Sequence, residues 1–135
     1  MKKSIVIVVL SLITAIGCSR NTGMSKYAGT WSGSYSSTII ATNPNTFDTG
    51  TLQIVVDANN GVTGTLQSLH GGAPAVMKGG VDPSSGTISL SEYGKGDYGI
   101  DVFLAGLNGN LTVESGNGML VFPWATRSKW QAAKN

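Results

Sequence analysis

The chain has 135 residues, 12% of them charged, with 19 glycines and a single cysteine. Nine Lys and Arg against seven Asp and Glu give a formal charge of +2, but two of those lysines, Lys2 and Lys3, sit at the extreme N-terminus. From residue 18 onward the count is seven of each sign, which leaves no basic surface for a phosphate backbone and excludes nucleic acid as a partner.

The first twenty residues combine a charged start, an apolar stretch over residues 5–13 and the small-residue run Thr14-Ala15-Ile16-Gly17 before Cys18. This is the layout of a secretory signal peptide, and the apolar stretch is shorter than the roughly 20 residues that a membrane-spanning helix needs. Ala15-Ile16-Gly17-Cys18 resembles the lipobox of bacterial lipoproteins, although Leu is the commonest residue where Ala15 stands. The resemblance implies cleavage after residue 17 and acylation of Cys18, which would fix the chain to a lipid bilayer. Each buried CH₂ of the acyl chains would add about 0.8 kcal/mol. It implies a location in the cell envelope. In a Gram-negative source Ser19 in place of Asp accompanies transfer to the outer membrane. With the only thiol acylated, no cysteine would remain for a disulfide, a metal or thiol chemistry.

Residues 18–26 are polar and aperiodic and read as a tether; the rest is enough for one domain. Low charge with abundant Gly, Ser and Thr suits a β-protein with tight turns. Residues 27–40 alternate, with Tyr27, Gly29, Trp31, Gly33 and Tyr35 on one face and Thr30, Ser32, Ser34 and Ser36 on the other, as in a half-buried strand. After a loop containing Asn43-Pro44-Asn45, residues 50–57 turn Leu52, Ile54 and Val56 inward. Asn59-Asn60-Gly61 is a hairpin turn, and Val62, Gly64 and Leu66 return along the core face. A loop at 70–74, a short strand over 75–81 and the turn Asp82-Pro83-Ser84-Ser85-Gly86 follow. Next comes a strand over 86–93 with Ile88 and Leu90 inward.

The spacing then predicts a turn at 94–97 and a strand over 98–107 in which Tyr98, Ile100, Val102 and Leu104 share a face. It predicts a hairpin at Asn108-Gly109-Asn110, a strand carrying Leu111 and Val113, a turn at 115–118 and a last strand from Met119 to about Arg127 or Trp130. Residues 130–135 could add a helical turn, and the barrel domain is placed at 27–131 with a tail at 132–135.

The fold class expected is therefore all-β: an antiparallel up-and-down meander of eight or nine strands closing into a small barrel, after the signal peptide. Closure removes the two exposed edges of an open meander, and eight strands enclose an interior just wide enough for side chains or one small ligand. A barrel set within the outer membrane would need longer strands with an apolar outer band. Here the outward faces are Ser, Thr, Gln and Asp.

Gly29-Thr30-Trp31 on the first strand and Arg127 near the last resemble the calycin pattern of lipocalins, fatty-acid-binding proteins and avidin-like barrels. The resemblance implies that the Arg127 guanidinium stacks on the Trp31 indole and closes one end of the barrel, a structural role. The mid-chain Thr-Asp-Tyr-like motif and the C-terminal helix of classical lipocalins are missing, so a compact avidin-like barrel is the nearer match.

Chemistry-bearing patterns are weak. His70 is the sole histidine, and its Gly-Gly neighbours lack the nucleophile elbow of a lipase. One His with no free Cys leaves a transition metal without its usual ligands, and no cofactor is expected. Gly94-Lys95-Gly96-Asp97-Tyr98-Gly99 fits the dinucleotide-binding spelling, but a strand, not a helix, is expected after it. Residues 57–61 resemble part of a calcium loop without its later acidic ligand. Tyr27, Trp31, Tyr35, Tyr98 and Trp124 are core candidates that could equally line a ligand cavity. The leading expectation is a non-enzymatic envelope lipoprotein whose barrel binds a small apolar or amphipathic ligand. The alternative is a filled barrel that acts on another envelope protein as an interaction, inhibitor or assembly module. An envelope hydrolase is the weakest option, since no nucleophile–base pair is visible.

Overall fold

Alternation of inward and outward side chains runs through eight strands: β1 (Gly29–Ile39), β2 (Phe47–Val56), β3 (Gly61–Ser68), β4 (Ala75–Val81), β5 (Thr87–Lys95), β6 (Asp101–Leu111), β7 (Ser115–Phe122) and β8 (Ala125–Lys134). In this computed structural model every strand is antiparallel to its sequence neighbours and β8 pairs back onto β1, so the sheet is a closed up-and-down barrel. Residues 24–39, 47–122 and 125–135 are described, except for the side chains at 38, 39, 47, 48 and 125–127. The signal peptide, Cys18, most of the tether, the Asn43-Pro44-Asn45 loop and Trp124 lie outside the described residues.

The period-two pattern fixes which face is buried, because a slip of one residue would turn every core side chain outward. Trp31 pairs with Ile54, Gly33 with Leu52 and Tyr35 with Gly50 across β1–β2. Leu52 then pairs with Leu66, and Ile54 with Gly64, across β2–β3. The inward residues Trp31, Ile54, Met77, Ile88 and Leu107 lose all contact with solvent. The core extends from Tyr27 at one end through Tyr35, Leu90, Leu120 and Trp130. Ser37 and Ser128 are buried too and satisfy each other through a 2.7 Å hydroxyl hydrogen bond.

The last third departs from the sequence-based expectation. Asn108-Gly109-Asn110 lies inside β6, and the reversal comes at Thr112-Val113-Glu114, where Thr112 Oγ1 accepts the Ser115 N–H at 3.0 Å. Ser115 to Gly118 likewise form strand, not turn. The glycines responsible are packing residues: a Cβ on Gly109 would lie 2.6 Å from the Trp130 ring, and one on Gly118 would lie 2.8 Å from its Nε1. The indole packs against Gly109, Gly116 and Gly118 of β6 and β7, and its Nε1 donates to the Asn108 carbonyl at 3.0 Å. Residues 130–135 form no helical turn and no free tail. β8 continues to Lys134, and the Asn135 N–H donates to the Thr30 carbonyl at 2.9 Å.

The two ends of the barrel differ. At one, β2–β3, β4–β5 and β6–β7 are joined by short turns and the chain enters through Met24 to Ala28, with the Ser25 N–H bonded to the Ala58 carbonyl at 3.0 Å. Tyr27 closes this end over Gly86, whose φ of 76° gives the turn its left-handed residue. At the opposite end the β5–β6 hairpin runs on beyond its neighbours. Among the described residues β4 pairs with β5 only as far as Ser91, and β7 with β6 only as far as Gly106.

Candidate functional site

At the closed end Trp31 Nε1 donates to the Tyr27 carbonyl at 3.0 Å, and the Lys134 ammonium sits 5.8 Å from the centre of the Trp31 ring. The calycin resemblance gave this place to Arg127, whose side chain lies outside the described residues. In the register Lys134 is directly opposite Trp31, whereas Arg127 follows Thr126, the partner of Thr38, at the other end of β1. Seven strand residues separate the two positions, roughly 23 Å at ~3.3 Å per residue. Gly29, with φ of 133°, passes under the Lys134 stem, 3.0 Å from where its Cβ would lie. Trp31 and Gly29 both pack against Lys134 at this end of the barrel.

The aromatic residues considered as a ligand lining do not all come together, and Trp124 lies outside the described residues. Tyr27, Trp31 and Tyr35 are packed in the core, while Tyr98 is fully exposed at the far end. His70 is an exposed loop residue whose backbone N–H donates to Ser68 Oγ at 3.1 Å. Asp57 Oδ1 accepts the N–H groups of Asn59 and Gly61 at 2.8 and 2.9 Å, so this carboxylate holds its own turn together. Among the described residues no three His, Cys, Asp or Glu side chains cluster as metal ligands. Gly94 to Gly99 form the end of a hairpin that continues into β6, not a phosphate loop leading into a helix.

What stands out is the hairpin arm itself. From Glu92 and Ala105 outward, β5 and β6 pair only with each other among the described residues. Between the Glu92–Ala105 and Tyr93–Phe103 pairs β6 spends one extra residue, Leu104, and this bulge re-aims the arm. Tyr93 and Phe103 meet edge to face with ring centres 5.8 Å apart, and the Lys95 ammonium pairs with the Asp101 carboxylate just beyond them. The tip is a 3-10 turn, Asp97–Gly99, flanked by Gly96 and Ile100. Tyr98 holds φ at 63° there, a left-handed conformation that bulky residues rarely adopt. Tyr93, Tyr98, Ile100 and Val102 are all exposed.

A second feature lies on the outer wall. An open groove of about 740 Å³ runs over β7, β8, β1 and β2 and is lined by, among others, Ser36, Thr49, Leu69, Met119, Lys129 and Gln131. Leu69 and Met119 are 73% and 57% exposed, and none of the groove's lining residues is acidic.

The sequence pattern missed the arm because residues 98–104 alternate as a core strand does. The inward residues of β6 are Ala105, Leu107 and Leu111, of opposite parity. The overhang has one sequence-level signal. The stretch between the turns at 82–86 and 112–114 is too long for a hairpin whose neighbour, β4, has only seven residues.

Comparison with protein-family models, with curated proteins and with solved structures finds no match to this chain. The barrel, eight-stranded and antiparallel throughout, is compatible with a calycin-like fold.

Proposed function

We propose that this chain is an acylated envelope lipoprotein whose barrel is a filled, protein-interacting module, anchored through Cys18 and displaying the β5–β6 arm. The observation that carries this over a ligand-binding barrel is the interior. Trp31, Ile54, Met77, Ile88 and Leu107 are completely buried against one another's neighbours where a ligand would have to sit. Pockets for small ligands are typically ~300–1,000 Å³ and concave. Among the described residues an open groove of about 740 Å³ lies on the outer wall. The tether enters at the closed end, and the arm leaves from the opposite one. A lipid at Cys18 therefore puts the closed end toward the bilayer and the arm away from it.

Two measurements test this. Native mass spectrometry of the folded barrel purified from its own cells should give the mass of the polypeptide with its acyl groups alone; a stoichiometric additional small molecule would overturn the filled-barrel reading. Cys18→Ser should abolish acylation and release the protein from the membrane fraction, and unchanged acylation and retention would refute the anchor.

A further inference from the structure

We infer that the partner of the arm is a second copy of this chain: the tip of one barrel's β5–β6 arm seats in the outer groove of the next. This deepens, and rests on, the reading of the barrel as a filled interaction module.

The tip carries a cost with no return inside its own molecule. A tyrosine at φ 63° pays strain of order 1–3 kcal/mol, yet its side chain is fully exposed. Gly or Asn would make the same turn without that cost. Tyr98 and Ile100 thus present an aromatic ring and a branched aliphatic chain to whatever lies outside.

The groove has the complementary chemistry. Leu69 and Met119 supply exposed apolar surface, and methionine adapts well to an aromatic ring. Its volume of about 740 Å³ exceeds what two side chains need. Charge matches as well. On the arm Lys95 is taken up by Asp101, which leaves the Asp97 carboxylate at the tip beside Tyr98. Lys129 lies among the groove's lining residues, which include no acid. Tip meeting groove brings Asp97 toward Lys129 while Tyr98 and Ile100 cover Leu69 and Met119.

Geometry decides what such a contact builds. In the closed ring of eight strands β5 and β6 lie across from β1 and β2, while the groove reaches round over β8 to β7, the neighbour of β6. Because arm and groove are different surfaces, the contact either passes from copy to copy as a row or ring, or is made twice about a two-fold axis with each arm in the other's groove. On the proposed reading neighbouring copies are anchored in one bilayer. Confinement to a membrane raises the effective concentration, so each contact can be weak.

The test uses the full acylated chain, carrying a photo-crosslinking amino acid in place of Tyr98 and reconstituted in phosphatidylcholine vesicles as an equal mixture of ¹⁴N- and ¹⁵N-labelled protein. Mixed-isotope peptides joining position 98 to the segments containing Leu69, Met119 or Lys129 are expected. Absence of mixed-isotope adducts, or adducts elsewhere on the barrel, would overturn the proposal. Lys129→Glu and Asp97→Lys should each lower the yield about two- to fivefold, and the two together should restore it. Far-UV circular dichroism confirms that these exposed-site variants fold. Crosslinking in cells to a different envelope protein alone overturns self-assembly but leaves the interaction module standing, whereas a stoichiometric ligand in the barrel removes the interaction module itself.

Discussion

Individual side chains explain where glycine is required and where charge is locked. Gly118 faces Gly109 across β6–β7 and carries the Trp130 indole, so a methyl group at Gly118 meets the Gly109 Cα at 2.5 Å and Nε1 at 2.8 Å. Neither backbone nor a buried tryptophan can retreat far, and overpacking of this kind costs about 1–3 kcal/mol. Gly118→Ala should therefore lower the urea midpoint clearly, while Ser34→Ala on the outer wall should stay within about 0.5 kcal/mol of the parent. At the β4–β5 turn the Asp82 carboxylate accepts the Ser84 hydroxyl at 2.7 Å and the N–H groups of Ser85 and Ser84 at 2.9 and 2.8 Å. These bonds favour the charged form and lower its pKa from 3.8 to about 2. A depressed carboxylate pKa contributes stability that is complete above the unfolded value and disappears as pH falls through the folded one. The carboxyl carbon of Asp82 should then titrate by NMR with a midpoint near 2, and the turn's contribution should fade between about pH 3.8 and 2. A midpoint at the ordinary value would show that the Ser84 and Ser85 bonds do not form.

At the scale of elements, legibility in the sequence followed local chemistry. β2 to β5 were readable because an Asn-Gly turn joins β2 to β3 and an Asp-Pro-Ser-Ser-Gly turn joins β4 to β5, and β1 because its alternation alone marks Trp31 and Tyr35 as buried. β6 to β8 were misread because their glycines look like turn residues. Gly109, Gly116 and Gly118 are there for Trp130, a partner 12 or more residues away that no local pattern contains. The arm was hidden for a related reason, since alternation reports a strand but not whether a neighbour covers it. Its independence from the barrel can be measured. Replacing residues 95–101 by Asn-Gly, a two-residue hairpin turn, removes exposed apolar surface and no buried core residue. The melting temperature should move by no more than a few degrees, and crosslinking between copies should be lost. A large drop in melting temperature would make the arm part of the folding unit.

The molecule as a whole depends on one long-range seam, β1 against β8, which joins the first strand of the domain to the last. Without it the sheet is an open meander with two bare edges and a core exposed along a slot. Residues 132–135 look dispensable in sequence, four small or polar residues after the last tryptophan. In the barrel they close the seam: Ala132 pairs with Gly33 and Gly116, Ala133 with Ser32 and Ser115, and Lys134 with Trp31. Beyond the ladder, the Lys134 N–H donates to the Glu114 carbonyl at 2.8 Å and its ammonium rests over the Trp31 ring. Each net backbone hydrogen bond is worth about 0.5–1.5 kcal/mol, and the cation–π contact adds about 0.5–1. Deleting residues 132–135 therefore removes several kcal/mol together with the cover over a tryptophan that is otherwise wholly buried. Since domains are stable by only about 5–15 kcal/mol, the truncated chain should lose most of its stability. The readouts are a large fall in the denaturation midpoint and a red shift of tryptophan emission as Trp31 meets water. Lys134→Met, which keeps the strand and the stem but not the charge, should cost no more than about 1 kcal/mol. A truncated chain with unchanged midpoint and emission would mean that the barrel closes without the end of β8.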